Sequence, residues 1–125
     1  MKIYAFPLST DVKIQGPWRT LVDFGKEAGC DGMTVDEQGN IYLTVRQLSR
    51  PGVLVIDPDG NEVAFIPTGQ PNQARGDPKN PPVGLPSNVE FGLGKESNVL
   101  YITVDTSLYC LPLKVNGYHV HNISP

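Results

Sequence analysis

The chain has 125 residues, of which 39% are hydrophobic and 18% are charged, and its formal net charge at pH 7 is -3. This length and composition are typical of one globular domain and exclude a disordered tail, and the acidic balance offers no basic surface for nucleic acid or an anionic membrane. The first residues contain no signal-peptide core, and no apolar run approaches ~18 residues, which predicts a soluble protein, cytoplasmic by default.

Taken in chain order, the sequence predicts β-strands and almost no helix. Two short apolar segments, residues 3–8 and 20–24, come first. Apolar residues then alternate through residues 33–45 on both sides of the polar stretch DEQGN at 36–40, where Gly39 permits a positive φ. This pattern predicts a hairpin that turns at residues 36–40.

The second half of the chain carries three more hairpin signals. Residues 53–67 are interrupted by DPDGN at 57–61, a sequence typical of a tight turn. Residues 87–104 predict a further strand pair. The last segment, residues 108–121, predicts a hairpin that turns at Asn116–Gly117.

The strands repeat along the chain. Residues 31–35 align with residues 87–91, and residues 41–45 align with residues 100–104, so that Asp31 falls opposite Ser87 and Gly32 opposite Asn88. The repeat is about fifty residues long and contains four predicted strands, which is typical of a β-propeller blade. We therefore predict an all-β partial propeller over residues 1–125 with about two and a half four-stranded antiparallel blades: a half blade at residues 1–24, a blade at 33–67 and a blade at 87–121.

Three stretches also resemble a known family. The segments CDGMTVDEQGNIYLT, GVLVIDPDGNEVAFIP and LPSNVEFG with LYITVDTSLYCLPL are similar, in this order, to the C-terminal part of the senescence-marker-protein/gluconolactonase/luciferin-regenerating-enzyme-like family. The resemblance implies a six-bladed propeller that hydrolyses sugar lactones or related esters. It also implies one divalent ion, calcium or zinc, per complete propeller, held by a glutamate, an asparagine and an aspartate from different blades.

The resemblance bears on completeness as well. It implies that further N-terminal blades, or self-association, close the propeller, and that this chain alone is weakly active or inactive. An open arc exposes blade faces and strand edges that favour such association. The alternative is a non-catalytic β-propeller binding module or scaffold that binds a peptide or a sugar through the loop at residues 68–86.

Asp31 is the candidate catalytic and metal-binding residue. It matches the Asp-Gly pair of the family, at the start of an innermost strand, and Gly32 lets the backbone approach the propeller axis. A carboxylate there can hold the ion and move a proton during ring opening. The other interpretation of Asp31 is a strand-entry cap that accepts hydrogen bonds from nearby backbone amides.

Ser87, Asn88 and Arg46 are the candidate substrate-binding residues, because the blade topology places them on the same rim as Asp31. Arg50 lies on the same loop as Arg46, so either guanidinium can meet a carboxylate product. The alternatives are a turn at strand entry for the Ser-Asn pair and solvated loop charges for the arginines.

The remaining candidates favour structural roles. Cys30 and Cys110 lack metal spacing and are predicted to be small buried residues, with a disulfide left open. His119 and His121 are predicted to face solvent on one face of an outermost strand, and the alternative is that this His-x-His pair binds a metal such as zinc. The segment at residues 57–60 resembles the start of a calcium loop but lacks its closing glutamate, which predicts a turn.

Overall fold

A computed structural model describes residues 1–120, which form nine β-strands and a single turn of 3-10 helix at Gly94–Glu96. The strands are β1 (Lys2–Ala5), β2 (Arg19–Asp23), β3 (Cys30–Val35), β4 (Ile41–Val45), β5 (Gly52–Ile56), β6 (Glu62–Pro67), β7 (Pro86–Phe91), β8 (Val99–Val104) and β9 (Ser107–Pro112). Within these residues there is no α-helix, and no helix is long and apolar enough to cross a membrane. The all-β prediction is confirmed.

Every strand pair is antiparallel, and the strands form three sheets. The first sheet contains β1 and β2, the second sheet has the order β3-β4-β5-β6, and the third sheet has the order β7-β8-β9. Each sheet is a meander in which neighbours in sequence are neighbours in space, so the hydrogen bonding is local.

Two hairpins in the second sheet turn on the same D-x-x-G-N sequence. In the first, the Oδ1 atom of Asp36 accepts hydrogen bonds from the backbone amides of Gln38 and Asn40, both at 2.9 Å, and Gly39 has a φ of 85°. The Asn40 amide nitrogen also donates to the second Asp36 oxygen. The turn at residues 57–61 repeats this set of bonds, which confirms both hairpin predictions.

Apolar side chains fill the spaces on both faces of the second sheet. Tyr42 of β4 faces the third sheet, whereas its neighbour Leu43 faces the first sheet, as expected from the alternation of a strand. The core between the second and third sheets contains Tyr42, Val53, Val55, Val89, Phe91, Leu100, Ile102 and Val104. The core between the first and second sheets contains Phe24, Cys30, Leu43, Val45 and Ile56.

The second and third sheets approach each other most closely along one side. Their backbones meet where β3 and β4 lie beside β7, and the strands farther out in the two sheets diverge. Sheets that diverge from adjacent first strands are what neighbouring propeller blades require. The described residues form three separate sheets and no closed ring.

The segment after β9 departs from its prediction. The Asn116–Gly117 turn forms no hairpin, and the third sheet has three strands among the described residues instead of four. The backbone amide of Gly117 donates to the Ser97 carbonyl oxygen at 2.8 Å, and that of Tyr118 donates to the Val35 carbonyl oxygen at 2.8 Å. The segment therefore crosses to the second sheet, and residue 121, the predicted end of the last blade, lies outside the described residues.

Packing explains why the segment takes this path. A Cβ atom at Gly117 would overlap the Cβ of Phe91 and lie 2.7 Å from its Cδ2, so the glycine backbone rests directly on a core phenylalanine. The side-chain amide of Asn116 also reaches the Glu37 carboxylate at 3.3 Å. These contacts give the polar groups of the segment hydrogen-bond partners without a local hairpin.

Candidate metal and substrate site

Asp31 is the second residue of β3, at the edge where the β4–β5 and β6–β7 connections also lie. Its side chain is exposed. The neighbouring amide of Gly32 donates to the Thr44 hydroxyl at 2.7 Å, and no backbone amide within residues 1–120 donates to the Asp31 carboxylate. The capping role that offered a purely structural explanation for Asp31 is therefore absent from this part of the chain.

Gly32 brings β3 against the third sheet. A Cβ atom at this position would overlap Oδ1 of Asn88 on β7 and would lie 2.9 Å from the Cα atom of the same residue. Cβ atoms essentially never lie this close to another heavy atom, so a side chain cannot be added without moving the Asn88 backbone. The sequence predicts that Gly32 lets the backbone approach the propeller axis. The structure shows that the glycine is required by a close approach of a different partner, the neighbouring strand β7.

Ser87 and Asn88 lie at the start of β7, beside Asp31 and Gly32. The Ser87 hydroxyl is 2.8 Å from the Thr103 hydroxyl, so it already has a partner. Asn88 is exposed, and its Oδ1 atom accepts from the Val89 amide at 2.9 Å. The Asn88 side-chain nitrogen has no protein partner among residues 1–120 and is free to donate to a ligand.

Arg46 lies on the same side of the site. It is half-buried, and its Nη1 atom donates to the Pro86 carbonyl oxygen at 3.0 Å, next to Ser87. Arg50, in contrast, is held away from this place: it makes two hydrogen bonds to Glu62, at 2.7 and 3.0 Å, and stacks over the Phe65 ring on the outer strand β6. The structure therefore brings Asp31, Asn88, Ser87 and Arg46 to one rim and leaves Arg50 outside it.

Glu90 is a polar residue of β7 that sequence reasoning missed, and it lies two residues after Asn88, farther from the rim that carries Asp31. Its side chain is exposed, and its Oε1 atom accepts from the Thr34 hydroxyl of β3 at 2.6 Å. Because alternate residues of a strand share a face, Glu90 places a second carboxylate on the side of β7 that carries Asn88. In the sequence, the spacing Asn88-x-Glu90 on a predicted first strand indicates that both side chains lie on one face, and this spacing could have identified Glu90.

The donor groups fit one part of a metal site. A calcium ion takes about six to eight oxygen ligands, and a zinc site needs three or four protein ligands. Among residues 1–120, no group of three or more His, Cys, Asp or Glu side chains is arranged to hold a metal ion. Asp31 fits the role of a single carboxylate ligand, so any complete site has to draw its other ligands from elsewhere.

The other candidates have structural explanations in the described part of the chain. His119 is half-buried beside the Gly92 carbonyl oxygen, at 3.2 Å, and belongs to no strand, so its predicted position on a solvent-facing outer strand is wrong. His121 lies outside the described residues. The segment at residues 57–60 is a turn, as predicted.

Both cysteines are free thiols, so the disulfide that the spacing left open is not formed. Cys30 is buried in the core, and burial raises the pKa of its thiol. Cys110 is exposed on β9, which corrects the prediction that it is buried. The reason is the position of β9 as the last strand of its sheet within the described residues.

The loop at residues 68–86 is folded on itself beside the site. The Gln73 side chain holds it together, since its amide nitrogen donates to the Val83 carbonyl oxygen and its oxygen accepts from the Val83 amide, both at 2.8 Å. With the segments before β3 and after β4, this loop borders a cleft of about 460 Å³. The cleft is lined by Lys26, Glu27, Ala28, Leu48, Ser49, Asn72, Gln73 and Arg75, and not by Asp31.

Known proteins resemble this chain in sequence and in fold. A family model described as an SMP-30/Gluconolactonase/LRE-like region matches residues 1–106. An X-ray structure provisionally described as that of a gluconolactonase is similar with a TM-score of 0.58 and 25% sequence identity, and the match covers 94% of this chain and 33% of that chain. The chain thus spans about one third of the length of that structure. No curated protein sequence matches the chain significantly.

Proposed function

Because the chain belongs to the SMP-30/gluconolactonase/LRE-like family, we propose that it is part of a metal-dependent lactonase that hydrolyses a sugar lactone or a related ester. The observation that carries the proposal is the exposed carboxylate of Asp31 at the start of β3, which accepts no hydrogen bond from a backbone amide of the described residues. In this proposal the sheets are about two and a half blades of a six-bladed propeller. Missing N-terminal blades, or self-association, supply the remainder of the ring.

The chemistry assigned to Asp31 follows from its position and type. Asp31, together with ligands from outside the described residues, would hold a calcium or zinc ion, and such an ion would supply Lewis-acid chemistry toward the lactone carbonyl and toward water. Asp31 provides one oxygen ligand. It also accepts a proton and returns it to the alcohol that leaves as the ring opens, a role that contributes roughly 10²–10⁴-fold to the rate.

The neighbouring side chains bind the substrate in this proposal. The free amide of Asn88 donates to an oxygen of the lactone. Ser87 and Arg46 hold the start of β7 in place. Ser87 is hydrogen-bonded to the Thr103 hydroxyl, and Arg46 donates to the Pro86 carbonyl oxygen. The Nη2 atom of Arg46 has no partner among residues 1–120 and is available for the carboxylate product.

Low activity of the chain alone is part of this proposal, and two observations support it. Asp31 is a single ligand, and the described residues offer no complete metal site. Large apolar side chains are also exposed on the first and third sheets, among them Tyr4 on β1, Trp18 directly before β2, and Leu108 and Tyr109 on β9. Covering these surfaces requires further protein, whether another copy or further blades.

Hydrolysis of a six-membered sugar lactone, followed at pH 7 with added Ca²⁺ or Zn²⁺, tests the proposal. The protein concentration is raised through the range in which its mass in solution shows association. Hydrolysis should require the ion and should fall by at least about 100-fold in Asp31→Asn. Asp59→Asn, which changes an exposed turn aspartate, is the matched control and should leave the rate unchanged.

Two outcomes contradict the proposal. One is ion-dependent hydrolysis that survives Asp31→Asn, because the carboxylate would then have no part in the reaction. The other is a closed, associated ring that hydrolyses no lactone with either ion, which would favour a non-catalytic binding module instead.

A further inference from the structure

A buried threonine lies behind Asp31. Thr44 of β4 is fully buried, with 0% of its surface exposed. Its hydroxyl accepts a hydrogen bond from the Gly32 amide at 2.7 Å and donates to the Gly32 carbonyl oxygen at 2.9 Å. The Ser87 carbonyl oxygen of β7 is a second acceptor within reach, at 3.4 Å. The Thr44 hydroxyl therefore links β4 to β3, the strand of Asp31, and lies within reach of β7 in the third sheet.

The place of these bonds is a β-bulge. Cys30 pairs with Val45 and Met33 pairs with Leu43, so Asp31 and Gly32 together stand opposite the single residue Thr44. In a bulge the extra residue disrupts the ladder and leaves backbone groups without strand partners. The Thr44 hydroxyl accepts from the Gly32 amide and donates to the Gly32 carbonyl oxygen, which also accepts from the Cys30 thiol at 3.2 Å.

The bulge decides which way Asp31 points. Residues directly opposite each other in an antiparallel pair share a face, and a shift of one residue reverses the faces. In an unbulged strand that continued the pairing from Cys30, Asp31 would stand opposite Thr44, on the buried face. Because of the bulge, the position on the buried face opposite Thr44 is taken by Gly32, which has no side chain to bury. Asp31 is the extra residue and does not occupy the buried face. This is why a carboxylate can stand exposed beside a tight contact between two sheets.

The third sheet contains the same arrangement. Its first strand shifts register between Pro86 and Asn88, opposite Thr103, and the Asn88 amide donates to the Thr103 hydroxyl at 2.9 Å. Thr44 and Thr103 occupy the same position in the sequence repeat. The repetition shows that a threonine opposite the bulge is a feature of how these strands begin and not an accident of one sheet.

We propose that Thr44 is the positioning residue for Asp31. Its hydroxyl holds the bulge at Gly32 and so keeps the Asp31 carboxylate outside the buried face, where the ion and the lactone are bound. The role of Thr44 toward a ligand rests on the proposed function. Its role in holding the bulge does not.

The test uses Thr44→Val, which keeps the shape of the side chain and removes the hydroxyl, and Thr44→Ser, which restores the hydroxyl. Amide hydrogen exchange at Gly32 reports on the bulge. The affinity of the associated protein for Ca²⁺, measured from the shift of the Asp31 amide signal by NMR, reports on the ligand. Thr44→Val should speed exchange at Gly32 about tenfold and weaken Ca²⁺ binding about tenfold, and Thr44→Ser should restore both.

Thr103→Val is the matched control, because it removes the equivalent hydroxyl from the neighbouring sheet. It should speed exchange at Asn88 while leaving both Gly32 exchange and Ca²⁺ affinity unchanged. The proposal is overturned by unchanged Gly32 exchange in Thr44→Val, or by equal loss of Ca²⁺ affinity in Thr44→Val and Thr103→Val, which would indicate general destabilisation.

The two proposals fail in different ways. If Ca²⁺ moves no signal of Asp31 at protein concentrations at which the chain has associated, the metal role of Asp31 and the proposed function are contradicted. Gly32 exchange in Thr44→Val then decides by itself whether Thr44 holds the bulge.

Discussion

Replacing Gly32 with alanine probes the packing of β3 against β7. The added methyl carbon would overlap the Asn88 Oδ1 atom and would lie 2.9 Å from the Asn88 Cα atom and 3.0 Å from its Cγ atom. The two side-chain atoms can move by rotation of Asn88, but relieving the overlap with the backbone carbon requires the two sheets to separate by several tenths of an ångström. Forcing an extra methyl group into a packed site of this kind destabilises a protein by about 1–3 kcal/mol.

Urea unfolding followed by circular dichroism measures this loss, and a double-mutant cycle assigns it to the two residues. Asn88→Ala removes two of the three close atoms, so the double variant Gly32→Ala/Asn88→Ala should recover about half of the lost stability. A coupling of at least about 0.5–1 kcal/mol between the two sites is expected for residues that touch. Additive effects, or a Gly32→Ala protein as stable as the unmodified one, would refute the close approach of β3 and β7.

Three further predictions concern pH, thiol reactivity and packing. Burial, together with the nearby Asp36 carboxylate, raises the pKa of Tyr42 to about 12 from its ordinary value of 10.0. The neutral phenol therefore stabilises the folded state fully below pH 10, and this stabilisation is lost as the pH rises through 12. The free energy of unfolding should fall by roughly 2 kcal/mol over this range, and Tyr42→Phe should lack this fall. A thiol reagent such as Ellman's reagent should modify exposed Cys110 rapidly and buried Cys30 only on unfolding, so two fast thiols would contradict the burial of Cys30. Leu43 has 0% exposure, so Leu43→Ala should destabilise the protein by about 2–5 kcal/mol. Leu93 is 67% exposed, so Leu93→Ala should change stability by less than about 0.5 kcal/mol. Equal effects of the two substitutions would contradict the core between the first and second sheets.

Much of the fold was predictable because its determinants are local. The D-x-x-G-N turns at residues 36–40 and 57–61 carry their own hydrogen bonds, so four or five letters specify each hairpin. The repeat alignment was also predictable. Asp31–Gly32 and Ser87–Asn88 occupy equivalent bulges because the threonines opposite them occupy equivalent positions.

The errors arose where distant partners decide. Asn116–Gly117 is a favourable hairpin sequence, but the Ser97 and Val35 carbonyl oxygens compete successfully for the backbone amides of that segment. Without a fourth strand beside β9 among the described residues, Cys110 remains exposed. Neither the carbonyl positions nor the missing neighbour can be inferred from the residues of the segment itself.

The site was predictable only in outline. Strand order and family resemblance together placed Asp31, Ser87, Asn88 and Arg46 on one rim. The hydrogen bonds of Thr44 with Gly32 and of Thr34 with Glu90 depend on a bulge register and on the distance between two sheets, which no spacing in the sequence encodes. Such bonds explain how the site is held, and they become visible only in three dimensions.

The most direct test of the account is the position at which the chain binds a divalent ion. Small additions of Mn²⁺, which broadens NMR signals of nearby nuclei even when binding is weak, should broaden the amide signals of Asp31, Gly32 and Asn88 first. Asp31→Asn should abolish this selective broadening. Broadening that is centred on other carboxylates, such as those of Asp59 or Glu96, with the Asp31 signal unaffected would contradict the assignment of Asp31 as the metal ligand.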